Sequence, residues 1–164
     1  GEGPATGRRV AALAAGYLAI WGAFSAAATL LQRVLSAMAV MSPMMEIESA
    51  QLSGGVLLLA GAYQLTPLKA GCLRACHSAA GVISRHWQRG TAGAFRMGGH
   101  HGAYCLGCCW ALMLLLFAGG VMNLVVVAGL TGLVLLEKVA PAGHLVARTS
   151  GIGFLIAGAW LLRS

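Results

Sequence analysis

From Gly102 to Leu136 the chain carries no charged side chain. Other long apolar runs cover residues 10–31, 47–66 and 142–162, with few charges between them. A helix rises 1.5 Å per residue, so about 20 apolar residues cross the hydrocarbon core of a bilayer. Of the 164 residues, 59% are hydrophobic and 9% charged, against about 25% charged in a soluble domain. The fold class read from this pattern is all-α: a polytopic transmembrane helical bundle forming one integral membrane domain over residues 1–164. The bilayer solvates the outer faces of such a bundle, so no large soluble core is needed.

About five spans are expected, at 10–31, 47–66, 103–118, 121–136 and 142–162. The uncharged run 102–136 is too long for one span and somewhat short for two. A break at Gly119-Gly120 gives two; one long tilted helix is the alternative. Small residues recur at close-packing intervals. Ala12/Gly16 and Ala19/Ala23 mark the first span, Gly54, Gly55 and Gly61 the second, and Gly153/Ala157 the last. Pro67 is expected to stop the second span. Asn123 reads as a turn residue or an interhelical hydrogen-bonding group. The chain opens on Gly1-Glu2-Gly3-Pro4 with no Met and no cleavable signal pattern, so a trimmed start with a further helix upstream is expected.

Residues 67–100 read as a basic loop, carrying Lys69, Arg74, Arg85, Arg89 and Arg96. Within it Val82, Ile83, His86 and Trp87 fall at helical spacing, which predicts a short interfacial amphipathic helix on anionic headgroups. With this loop cytoplasmic, nine of the eleven Lys and Arg residues lie inside, leaving Arg33 and Arg163 outside. The split follows the positive-inside rule and puts the N-terminus inside and the C-terminus outside. The formal charge of +7 therefore reports topology; membrane lipids, and no nucleic acid, are the partners it implies.

All five cysteines fall on the cytoplasmic side of that topology, where thiols stay reduced and clusters point to metal or redox chemistry. Cys72 and Cys76 are four apart, as are Cys105 and Cys109, while Cys105 and Cys108 are three apart. Each set shares a helix face. Two such faces offer two to four thiolates, suiting Cu(I), Zn(II) or an iron–sulfur cluster. Adjacent Cys108 and Cys109 are expected to point apart and not to share one ion. His101, one turn before Cys105, is a candidate ligand or orienting group. The competing reading is that small cysteines merely pack. Tyr63, Gln64, Lys69 and Glu137 are expected at similar depth as a polar relay, against a simple Glu137–Lys138 boundary pair. On the opposite side Met38, Met41, Met44 and Met45 make a possible outer way in for copper, or ordinary apolar filler. His77, His86 and His144 read as ordinary interfacial residues.

The strings Ala60-Gly61-Ala62-Tyr63-Gln64-Leu65-Thr66-Pro67-Leu68-Lys69, Cys72-Leu73-Arg74-Ala75-Cys76 and His101-Gly102-Ala103-Tyr104-Cys105-Leu106-Gly107-Cys108-Cys109-Trp110-Ala111-Leu112-Met113 resemble the signature of a bacterial family called "predicted metal-binding integral membrane protein". Met122-Asn123-Leu124 and Glu137-Lys138 fit the same pattern. The resemblance runs from about Ala37 onward. It implies metal binding, a multi-span helical fold, a bacterial inner membrane and an additional N-terminal hydrophobic helix, and it brings no reaction.

Three functions follow. The leading one is a non-enzymatic handler of Cu(I) or Zn(II), for transport, delivery or cofactor assembly. The second is an accessory subunit of a larger membrane complex or a homo-oligomer, with the thiolate site structural. The last is a thiol redox enzyme using Cys105-x-x-Cys108, which lacks the βαβ context such a motif expects.

Overall fold

The computed structural model describes residues 3–39, 41–42, 47–77, 81 and 90–163. Among these the chain is all-helical, without a strand; one isolated bridge pairs Met41 with Ile47. Six helices follow in order: α1 (Gly3–Ala37), α2 (Ala50–Gln64), α3 (Pro67–His77), α4 (Gly90–Gly119), α5 (Leu124–Val139) and α6 (Gly143–Leu161). The expected amphipathic helix at Val82, Ile83, His86 and Trp87 lies outside the described residues.

Local chemistry sets the boundaries. The Ser49 hydroxyl caps α2 by accepting from the Leu52 N–H. Pro67 has no N–H to continue α2 but opens α3, and the two helices meet at 65°. Gly120, at φ +87°, ends α4 in the left-handed region. Asn123 then caps α5, accepting from the Val125 and Val126 N–H groups. The break at Gly119-Gly120 is therefore real, and Asn123 is a helix cap.

Two of the six helices, over Ala5–Ala37 and Gly90–Gly119, are long and apolar enough to cross a membrane. Counting the bent α2–α3 pair as one broken span makes three. This corrects the expectation of five. Apolar runs in sequence are longer than the helices that caps leave. α5 keeps 16 residues, roughly 24 Å. α6 keeps 19, but its first turns carry His144, Arg148, Thr149 and Ser150. The basic loop is also shorter than expected, because α3 begins at Pro67 and α4 at Gly90. Cys105, Cys108 and Cys109 thus sit in mid-helix rather than at a helix end.

Glycines decide the packing. α1 and α4 run parallel in close contact: a Cβ on Gly98 would lie 1.9 Å from the Leu13 carbonyl oxygen, and one on Gly16 2.0 Å from that of Phe95. α2 and α6 run antiparallel through two seven-residue glycine pairs, with Gly54 against Gly158 and Gly61 against Gly151. The expected Gly153/Ala157 face is instead exposed. The α2–α3 rod lies antiparallel to α4. At one end the Ile47 N–H reaches the Phe117 carbonyl at 2.8 Å; at the other Tyr63 meets Trp110 and Cys72 meets Gly107. The core between them is Ala60, Ala111, Leu112 and Leu115.

Gly98→Ala is expected to separate α1 from α4 and cost about 1–3 kcal/mol, as overpacking does. Gly22→Ala, where an added Cβ meets nothing within 4 Å, is the control. Thermal unfolding of both variants by circular dichroism in detergent checks the difference.

Candidate metal centre

The cysteines gather where α3 lies on α4. Cys72 and Cys76 stand one turn apart on α3, and both pack against the buried Leu73, Cys108 and Cys109. The α4 face supplies Cys105, Cys108 and Cys109, all buried. Cys76 packs across the interface against Cys108 and Cys109 and interacts electrostatically with the thiols of Cys105 and Cys108. Cys72 approaches the α4 backbone at Gly107, where a Cβ would lie 2.9 Å from its sulfur. Only glycine leaves α3 that close.

Cys108 and Cys109 do not point apart. Their sulfurs donate to the same acceptor, the Cys105 carbonyl, at 3.0 and 3.2 Å, and they also touch each other. Positions three and four residues past Cys105 share its helix face. Four sulfurs, of Cys76, Cys105, Cys108 and Cys109, therefore form one contiguous cluster. Among the described residues, however, no group of three or more His, Cys, Asp or Glu side chains is arranged to hold a metal ion. The thiols are spread over hydrogen bonds rather than converged on a point.

Two neighbours that sequence reasoning missed complete the cluster. Lys138 donates its ammonium to Cys105 Sγ at 2.9 Å. The Tyr17 hydroxyl lies 3.5 Å from the same sulfur. Lys138 was visible only as half of a boundary pair. Tyr17 needed the parallel pairing of α1 with α4, which no local spacing announces. His101 stacks on Tyr17 with ring centroids 6.0 Å apart. Its Nδ1 is buried without a hydrogen-bond partner among the described residues. Met113 and Trp21 pack over the cysteines from α4 and α1.

The second group of expected residues forms a separate hard-charge network. Lys69 and Glu137 are only 1% and 2% exposed, and their charged atoms meet at 2.6 Å. Gln64 Nε2 donates to Glu137 Oε1 at 2.7 Å and to Ser150 Oγ at 2.8 Å. The Gln64 amide oxygen accepts from Lys69. His77 Nε2 lies 2.8 Å from the Glu137 carbonyl oxygen. Tyr63 stands apart from this group: its hydroxyl donates to the Gly107 carbonyl beside the cysteines.

The described members of the expected outer methionine group, Met38 and Met41, join neither cluster. Met38 is exposed just past the end of α1, about twenty residues beyond Tyr17, or roughly 30 Å along the helix. Met41 contacts the Ser36 hydroxyl, and Met44 and Met45 lie outside the described residues.

Lys69→Met or Glu137→Leu alone leaves a buried charge unpaired and is expected to cost about 3–5 kcal/mol, whereas the double variant recovers most of it. Denaturant titrations of the three proteins in the same detergent give the comparison. A double variant whose loss equals the sum of the two single losses would remove the pair from any structural role.

Over residues 2–161 the chain matches a family model described as a copper chaperone. Neither a curated protein nor a solved structure matches it. The match takes in all six helices and every cysteine, and it agrees with the metal-binding side of the resemblance seen in the sequence. The chain belongs to the PpoB2 copper chaperone family.

Proposed function

We propose that this chain is a membrane-embedded chaperone that takes up Cu(I) on the α3–α4 sulfur cluster and passes it on. The carrying observation is Cys76, which faces two α4 sulfurs across a helix interface. Soft thiolates select Cu(I), and two or three of them suffice for it, whereas zinc in a structural site takes four tetrahedral ligands. Cys76 with Cys105 or Cys108 is the first pair, and Cys109 and Cys72 are the sulfurs to which the ion shifts. A cluster with more thiols than the ion needs lets one ligand replace another without releasing the ion. His101 and Met113 stand beside the route.

Electrostatics supports this reading. Cu(I) between two thiolates carries a net negative charge, and a buried charge is costly unless paired. Lys138, already on Cys105 Sγ, supplies the counter-charge, and the Tyr17 hydroxyl adds a donor. The same ammonium would offset the negative charge of the copper–thiolate group once it forms.

The membrane reading rests on the two long apolar helices and on large apolar side chains facing outward, such as Leu18, Leu30, Leu124, Val125 and Ile156. The basic ends of α3 and α4 face the cytoplasm in this proposal, with the N-terminus inside and the bacterial inner membrane as location. Met38 and Met41 then stand at the outer end.

Purified protein loaded under reducing conditions is expected to hold about one Cu(I) per chain against a chromophoric competitor, and to hold Zn(II) far less well. Cys76→Ser/Cys105→Ser is expected to abolish that retention. Lys138→Met is expected to weaken it about tenfold, the loss of one hydrogen bond to a charged group being ~1.5 kcal/mol. Wild-type copper retention by the double serine variant would sink the proposal.

A further inference from the structure

On the far side of the Lys69–Glu137 pair from the sulfurs lies a cavity of about 740 Å³. It opens between the α2–α3 bend, the outer face of α3 and the first turns of α6. Its basic lining is Lys69, Arg74, His77, His144 and Arg148. Among the described residues no acidic side chain lines it. Glu137, behind its floor, is already taken up by Lys69 and Gln64. Glu48, the other described carboxylate, lies beyond the opposite end of α2. Arg74 and Arg148 therefore bring two positive charges to one concavity with no carboxylate among its described lining residues. The Lys69–Glu137 pair is the one ion pair among the described residues.

Shape and polarity narrow the ligand. The volume is far beyond the ~30 Å³ share of one water and within the range of small-molecule sites. Arginine presents a planar fork that matches phosphate oxygens two at a time. The α6 start carries no side-chain cap, and the positive end of a helix dipole favours an anion. The remaining wall is apolar, with Leu65, Pro67, Leu73 and Pro141. Leu65 and the adjoining Leu68 and Leu145 are exposed at the surface. An anionic cradle bordered by outward apolar side chains suits an amphiphile, and basic pockets between membrane helices hold such headgroups.

We infer that this cavity binds a phosphate-bearing anion, in the form of an anionic phospholipid headgroup. Arg74 and Arg148 grip the phosphate, His77 and His144 flank it, and the acyl chains leave over the apolar border. This site is distinct from the sulfur cluster and does not depend on copper.

The full chain in detergent is titrated with phosphatidylglycerol, phosphatidylcholine or inorganic phosphate, reading bound lipid by native mass spectrometry and protection by thermal shift. Phosphatidylglycerol is expected to be retained at least tenfold better than phosphatidylcholine and to raise the melting temperature. Arg74→Ala/Arg148→Ala is expected to lose that preference, while Arg74→Lys/Arg148→Lys keeps most of it. Arg8→Ala/Arg9→Ala, which alters charges away from the cavity, and Cys76→Ser/Cys105→Ser are expected to keep it in full. Protection by inorganic phosphate equal to that by the lipid upholds the anion site and assigns a free phosphate compound as its source. The same preference in the double alanine variant, or no response to phosphatidylglycerol and phosphate alike, overturns the inference.

Discussion

The structure turns on one buried contact, between the Lys69 ammonium and the Glu137 carboxylate. Neither charge keeps water, so each depends on the other and on the Gln64 amide between them. The pair joins the start of α3 to the end of α5, and Gln64 extends it through Ser150 to α6. Four helices are thereby referred to one point. Such a pair is a weak source of net stability, since desolvation offsets much of its attraction. Its contribution is positional. A shift of α3 along α5 by one turn would strand both charges, so alternative registers of these helices are excluded more strongly than apolar packing alone would exclude them.

That positional role reaches the sulfurs through a single peptide bond. Successive residues of a helix point about 100° apart, so fixing Glu137 toward Lys69 directs Lys138 to a different face of α5. That face is the one where Cys105 lies. The two lysines thus do different work with the same charge. Lys69 is paired with a hard carboxylate, whereas among the described residues Lys138 donates to a soft, polarisable sulfur. The same helix end separates the sulfur cluster from the basic cavity on the other side of the ion pair. Soft donors and hard cations occupy adjoining but distinct compartments.

How much of this was legible in sequence depended on the range of the interaction. Spacings within a helix read correctly: the one-turn interval between Cys72 and Cys76, the Gly119-Gly120 break and the stop at Pro67 all follow from backbone geometry. Tyr63, Gln64, Lys69 and Glu137 group in the sequence by common depth; the structure joins the last three, while Tyr63 turns to the Gly107 carbonyl. Helix lengths did not read correctly. Apolar stretches ran past their caps, which inflated the number of spans and placed the start of α4 thirteen residues late. Cys108 and Cys109 were read as diverging because adjacent residues diverge by angle; short side chains on a crowded face still meet when both bond the same carbonyl. The glycine contacts of α6 were assigned to Gly153 rather than Gly151 and Gly158, since small residues alone do not say which face has a neighbour. Tyr17 and Lys138 depended on pairings between distant helices, for which one sequence carries no local sign.

The arrangement of thiols bears on what a carrier must do. A site built to retain an ion converges its ligands and fills their remaining valences with fixed partners. Here the sulfurs bond carbonyls, one another, a hydroxyl and an ammonium, all of which are single, replaceable hydrogen bonds. Each such bond is worth about 1 kcal/mol net in a neutral pair and somewhat more beside a charge. Exchanging them for metal–sulfur bonds would release the thiol protons and forfeit only these hydrogen bonds, and reprotonation after release would restore both. The glycine at 107, which admits Cys72 to the α4 backbone, keeps a fifth sulfur within a turn of the cluster. A low cost on both sides of the exchange, with a surplus of soft donors and one fixed positive charge, is what the proposed handing-on of copper would require.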